Sequence, residues 1–335
     1  MRVAMLAPVA WRTPPLHYGP WELVSSLLTE GLVAAGVPVT LFATLDSVTT
    51  AELDGVCPHG YAQDPDMDGR IWEALHVAHA LERSGEFDLV HNQLDWLPLA
   101  FDRHCRAPMV TTIHGFSGAA ILPAYRRSSS AFVAISAADR APELDYIATV
   151  HHGIDLDALP LRSTAGPELV AFGRIHPDKG TAQAIAIARA AGRRLIICGI
   201  VQDEAYFAEQ VQPHLDDDQV RYLGSVGPEE RAQVLGGAAV LLHPIGFDEP
   251  FGLSVVEAMA CGTPVVAYRR GSMAEVVDEG VTGYLAHDVP SAVAAVTAAI
   301  RLDRDRVGAR ARERFGVARM VQDYLRVYEQ ILARR

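Results

Sequence analysis

Short apolar runs and stretches of helical periodicity alternate along the whole chain. In the first half the runs are "RVAMLA", "VPVTLFAT", "DLVHNQ", "MVTTIHG" and "AFVAIS". Each is too short for a helix and is closed by Gly, Pro or polar residues, which predicts buried strands. After the first run comes a long loop, "PVAWRTPPLHYG", then a helix expected from Pro20 to about Ala35. Proline suits the first helical position there, and Gly36 suits the stop. A stretch without periodicity, "LDALPLRSTAGP", follows "TVHHGID" and reads as a linker. The alternation then restarts with "ELVAFGRI", "RLIICGI", "QVRYLGS", "AVLLHPI" and "PVVAY". Helices are expected to start near Lys179, Asp203, Pro228 and Leu253. The tail, "FGVARMVQDYLRVYEQILARR", places Val321, Tyr324, Leu325, Tyr328, Ile331 and Leu332 near one helical face.

Strands separated by helices predict parallel sheets with crossover helices, and 335 residues suit two such domains. The expected α/β architecture is two Rossmann-like, doubly wound domains facing across a cleft. Their expected bounds are 1–155, a linker at 156–166, 167–312, and a C-terminal helix at 313–335 able to cross back to the first domain. Ligands of such folds sit at the carboxyl ends of the strands.

Composition narrows the partners. Half of the residues are hydrophobic, which excludes a disordered chain. The net charge is −12, and residues 1–155 hold 9 basic against 18 acidic residues. An acidic first half repels phosphate backbones and anionic lipid, so no nucleic acid and no stable membrane association are expected. Four scattered cysteines, Cys57, Cys105, Cys198 and Cys261, form no C-x-x-C pair and suit a reducing, cytoplasmic setting. Of 29 basic residues only Lys179 is a lysine. A compact, flexible ammonium retained in so arginine-biased a chain points to a functional charge.

The stretch "GFDEPFGLSVVEAMACGTPVVAY", 246–268, concentrates the candidate chemistry. A loop with Glu249 leads to a helix start at Gly252, Leu253 and Ser254, whose free N–H groups can receive an anion. Gly252 permits close approach of a ligand to the backbone. Glu257 lies roughly 6 Å along that helix, where a carboxylate suits ribose hydroxyls better than phosphate. Glu249 would lie on the sugar side. Two carboxylates flanking an anion pocket suit a sugar–diphosphate–ribose ligand. In "AFGRIHPDKG", Arg174 and Lys179 stand at the end of another strand, a forked donor and a movable charge suited to a departing diphosphate.

These two motifs together resemble the retaining glycosyltransferases of family four, with the GT-B fold. The Glu-x7-Glu arrangement of Glu249 and Glu257 carries most of the likeness, supported by "HG" at 114–115, "HHGID" at 151–155 and "RRGSMAEVVDEGVTGYL" with Glu275. The chain is also similar to family members that decorate oligosaccharide antibiotics of the avilamycin-type orthosomycins. The resemblance implies transfer of a sugar from a nucleoside diphosphate, UDP-type favoured, to a small-molecule or oligosaccharide acceptor with retained configuration. By the same resemblance Arg174 and Lys179 would hold the diphosphate, Glu257 the ribose, and Glu249 with the Phe251, Gly252 and Leu253 backbone the donor sugar. His114 would bond that sugar, Gly19 would approach the phosphates, and the backbone near Gly199 and Tyr222 would receive the base. The chain departs from the pattern at Tyr18-Gly19-Pro20, where the family has two glycines; proline removes one N–H donor. That departure leaves open a different class of function, a catalytically inactive nucleotide-sugar-binding partner or sensor.

No metal and no other cofactor are expected. Asp-x-Asp recurs at Asp64/Asp66, Asp66/Asp68, Asp155/Asp157, Asp216/Asp218 and Asp303/Asp305, too often to mark one metal. His151-His152 and His76/His79 lack a third ligand. Among the aromatics, Trp11 and Tyr18 on the long loop are candidates for stacking on a sugar, with Trp21 and Trp96 as readily core.

Overall fold

The computed structural model describes residues 1–115, 118–216 and 218–334. The chain divides into two compact units, Met1–Gly153 with Val317–Arg335, and Ile154–Gly316.

The first unit holds seven strands: β1 (Val3–Leu6), β2 (Val39–Phe42), β3 (Glu52–Asp54), β4 (Leu89–Asn92), β5 (Met109–Ile113), β6 (Ala131–Ala134) and β7 (Tyr146–Thr149). They form one parallel sheet in the order β3-β2-β1-β4-β5-β6-β7. Every residue of β1, β2, β4 and β5 is buried, as a sheet covered on both faces requires. The edge strands β3 (ELD) and β7 (YIAT) are short and half-exposed, so no long buried apolar run announces them.

The last helix, Val317–Leu332, belongs to this unit and packs on the helix Pro20–Ala34. Contact is close because Gly31 carries no side chain: a Cβ there would lie 2.5 Å from Val321 Cγ2. Tyr324 and Tyr328 are buried and reach inward, Tyr324 Oη to Thr112 Oγ1 at 2.7 Å and Tyr328 Oη to His91 Nδ1 at 2.6 Å.

The second unit holds β8 (Leu169–Phe172), β9 (Leu195–Cys198), β10 (Val220–Tyr222), β11 (Val240–His243), β12 (Val265–Tyr268) and β13 (Gly283–Ala286). Their parallel order is β10-β9-β8-β11-β12-β13, so the winding reverses between β8 and β11. Residues 156–166 are not a free linker. Leu159 is buried, Arg162 N–H donates to the Cys261 carbonyl at 3.0 Å, and Gly166 N–H donates to that of Gly237 at 2.7 Å. Proline and glycine break the periodicity of that stretch while it docks on exposed helix-end carbonyls. The expected unbroken tail is two helices, Arg304–Phe315 and Val317–Leu332, parted by extended backbone at Gly316.

Most of the Asp-x-Asp repeats resolve into backbone caps. Asp64, Asp155, Asp216 and Asp303 each accept from the N–H two residues on, at 3.0, 3.0, 3.1 and 3.0 Å. Short carboxylates that satisfy their own turn are frequent in an acidic chain for that reason.

Candidate functional site

In the second unit the residues singled out by sequence gather where β8 and β11 end, at the reversal of strand order. Such a switch point opens a crevice beyond the strand termini, because the flanking connections leave in opposite directions. Lys179 reaches it from the loop after β8, held by Gly180. That glycine has φ +69°, and a Cβ on it would lie 2.0 Å from the Pro244 carbonyl oxygen just beyond β11. No side chain fits there, so the Lys179 loop and the β11 end are pressed together.

Lys179 Nζ donates to Glu249 Oε2 at 2.8 Å, and its ammonium lies 4.6 Å from the centroid of the Phe247 ring. His243, the last residue of β11, places Nε2 at 3.3 Å from the same carboxylate oxygen. Burial pushes the Glu249 carboxyl upward, but the His243 hydrogen bond and the Lys179 charge prevail and hold it at about 2. Glu249 is therefore a fixed anion at neutral pH and an acceptor, not an acid. Its backbone is clamped as well. Ser272 N–H donates to the Glu249 carbonyl at 2.8 Å, and a Cβ on Gly271 would meet Glu249 N and O at 2.4 Å.

Beyond Glu249 the helix Leu253–Ala260 starts at Gly252, with φ +89° and no side-chain cap. The Leu253 and Ser254 N–H groups, first and second in the helix, have no intrahelical acceptor by position. The helices Thr181–Ala190 and Pro20–Ala34 also start at positive-φ glycines, Gly180 and Gly19, without a side-chain cap. By contrast Asp68, Asp288 and Asp303 cap their helices in the ordinary way. The Phe251 side chain is core, 5.9 Å from the Phe315 ring, and its carbonyl accepts from Ser272 Oγ at 3.0 Å.

Glu257 is buried and accepts from Arg231 Nη1 at 3.1 Å. Burial raises its carboxyl above the usual range, and Arg231 offsets this in part. Arg174 is half-buried, and its Nη1 donates to Gln202 Oε1. Gly199 has φ +147°, and a Cβ on it would lie 1.8 Å from the Gly173 carbonyl oxygen, so these two strand ends touch backbone to backbone. Tyr222 Oη donates to the Gly199 carbonyl at 2.7 Å, and its ring lies 5.2 Å from that of Phe207.

In the first unit, His114 follows β5 and is buried and neutral; burial takes its imidazole down to about 3. Its Nε2 lies 2.6 Å from Gln93 Oε1, its Nδ1 lies 3.4 Å from His152 Nε2, and Trp21 stacks on the ring at 5.3 Å. Gly19 is bounded by Glu22: a Cβ on Gly19 would lie 2.9 Å from Glu22 Oε2. Glu22 is 3 % exposed, accepts from Trp11 N–H at 3.2 Å, and is pushed by burial to about 7. Trp11 and Tyr18 meet edge to face at 6.0 Å, while Trp96, readable as core, is 42 % exposed.

Sequence reading missed His243, Arg231, Gln93 and Glu22. His243 carries a weak signal, a histidine closing an apolar strand at its functional end. The others lie in unremarkable helices and loops, and only the fold aims them. Among the described residues no three His, Cys, Asp or Glu side chains gather as a metal-binding group, and no helix is long and apolar enough to cross a membrane.

Residues 161–317 match the family model of glycosyl transferases, group 1. The glycogen synthase of Mycobacterium tuberculosis is 29 % identical over 97 % of this chain and 91 % of its own length. AviGT4, a glycosyltransferase involved in avilamycin A biosynthesis, superposes with a TM-score of 0.80 at 23 % identity, over 100 % of this chain and 99 % of its own. Anabaena HepE in complex with UDP and glucose gives 0.74 at 20 % identity, over 98 % of this chain and all of its own. Residues 161–317 thus carry a group 1 glycosyl transferase segment, and the two doubly wound parallel sheets share the α/β fold of these GT-B glycosyltransferases.

Proposed function

We propose that the chain is a retaining glycosyltransferase that takes a sugar from a UDP-type donor and passes it to a soluble acceptor in the cytoplasm, without a metal ion. The observation that carries this reading is the Lys179–Glu249 pair beside the uncapped helix start at Gly252. As the anomeric bond breaks, negative charge grows on the departing diphosphate. An ammonium has three donors; one is fixed on Glu249, and the other two can take phosphate oxygens. Lys179, Arg174 and the Leu253 and Ser254 N–H groups then supply preorganised positive potential where that charge grows. Glu249, ionised throughout, accepts from sugar hydroxyls, and Glu257 from the ribose. The leaving phosphate takes the acceptor proton, so no separate base is assigned. AviGT4, which shares the fold, is involved in avilamycin A biosynthesis, and HepE is in complex with UDP and glucose; the natural-product acceptor and the UDP-type donor are taken from these two likenesses.

Titrating the protein with UDP, ADP, GDP and dTDP, in EDTA and then in magnesium, tests the reading together with donor turnover. UDP should bind in EDTA. Glu249→Ala should cut transfer far more than nucleotide binding, and Glu257→Ala should weaken nucleotide affinity. Equal, negligible effects of both would refute the assignment. The second reading, an inactive binding partner, draws on Pro20, which lacks an N–H, and on Glu22 beside Gly19, which in its ionised form would oppose a phosphate there. It predicts saturable binding with no turnover of any UDP-sugar.

A further inference from the structure

We propose that Arg231 is the positioning residue for Glu257, holding its carboxylate in one orientation and cancelling its charge so that it can accept the hydroxyls of a ribonucleoside diphosphate. The inference rests on the nucleotide-sugar reading above and extends it to a residue on a separate helix.

Glu257 presents a physical difficulty. Its side chain is 8 % exposed, and it sits in the same helix whose start is the candidate anion site. A bare carboxylate so placed would either repel the diphosphate or take up a proton and lose acceptor strength. Arg231 answers both. It lies in the first turns of the helix Pro228–Gly237, and its Nη1 donates to Glu257 Oε1 at 3.1 Å.

The guanidinium is held from a second side, 5.6 Å from the centroid of the Phe172 ring. Phe172 ends β8, one residue before Gly173 and two before Arg174. The planar cation is thus fixed between an aromatic ring and a carboxylate, a geometry that suits arginine better than lysine. One oxygen of Glu257 is engaged by Arg231. The other can be directed at a ligand without free rotation of the group. Arg231 itself touches no reacting atom in this scheme; it acts through Glu257.

The test compares calorimetric affinities for UDP and 2′,3′-dideoxy-UDP, which differ only in the hydroxyls at issue. The wild-type protein should prefer UDP by about ten- to hundredfold, the range for hydrogen bonds to a charged group. Arg231→Met keeps an unbranched apolar side chain at the position and removes the charge. It should bring the preference close to one while leaving dideoxy-UDP affinity within about threefold, since the phosphates keep their own donors. Glu257→Gln should lose the preference equally, and adding Arg231→Met to it should change nothing further. Arg231→Lys should recover part of it.

A purely structural ion pair would lower the melting temperature without moving the ratio, and an unchanged ratio in folded Arg231→Met overturns the proposal. If Arg231→Met does not fold, the Arg231→Lys and Arg231→Gln pair decides: equal ratios for the two overturn it. Absence of UDP, ADP and GDP binding by the wild-type protein would instead overturn the nucleotide reading and this one with it.

Discussion

Lys179 and Glu249, seventy positions apart in the chain, meet at 2.8 Å where two neighbouring strands of the second unit end. The pair joins the only lysine in the sequence to the first glutamate of the segment at 246–268. Both side chains are largely shielded, at 19 % and 10 % exposure. The attraction is therefore weakly screened, and neither charge can be removed without stranding the other.

Stranding that charge has a measurable cost. Lys179→Met should destabilise the second unit by about 3 kcal/mol, the usual penalty for breaking a buried pair from one side. Amide exchange at β8 and β11 in the full-length protein would read it. In a Glu249→Gln background the same substitution should cost much less. Additive effects of the two changes would mean that the pair is energetically idle.

The depressed Glu249 carboxyl sets an acid limit. Its folded value is about 2 against an ordinary 4.5, so the unfolded chain binds the proton more readily. The associated stability, about 3 kcal/mol at most, is complete above pH 4.5 and lost as the pH falls toward 2. Denaturation profiles of wild type and Glu249→Gln should lie apart above pH 4.5 and converge as the pH falls through that window, with the variant showing the shallower slope there.

Glu22 behaves in the opposite sense. Burial lifts its folded value to about 7 from 4.5, so the folded chain binds the proton more tightly. Its contribution is complete below pH 4.5 and declines, by about 3 kcal/mol, as the pH rises to 7. Glu22→Gln should remove that decline in the first unit. Thermal melts at pH 5 and pH 8 check this: a wild-type difference that persists in the variant would place the titration elsewhere.

Gly180→Ala should be severe for its size. A Cβ would stand 2.0 Å from the Pro244 carbonyl oxygen, and the backbone φ of +69° already disfavours a side chain. A loss of about 2 kcal/mol or more is expected from strain and displacement together. UDP affinity should fall with it, because the Lys179 loop must lift away from β11. Unchanged affinity in a folded variant would detach that loop from the ligand.

The alternation of strands and helices, the two-domain α/β plan and the segment at 246–268 as the place to look are all legible in the residues alone. These properties are local. An apolar run, a proline at a helix start or a glycine that permits an uncapped N-terminus acts within about ten residues of itself. The half-exposed strands β3 and β7 escaped because a short edge strand needs no long buried run.

Tertiary structure alone decided the partners. Arg231 on Glu257, His243 on Glu249, Gln93 on His114 and Glu22 beside Gly19 come from separate elements or from the turn of a loop. Burial, and with it the charge state of each acid, depends on neighbours delivered by other strands and helices. Sequence could name Glu249 and Glu257 as carboxylates of interest. Only the fold made one a strongly held anion, paired with an ammonium and an imidazole, and the other a raised carboxyl balanced by an arginine, because the energy of a charge is set by what surrounds it in space.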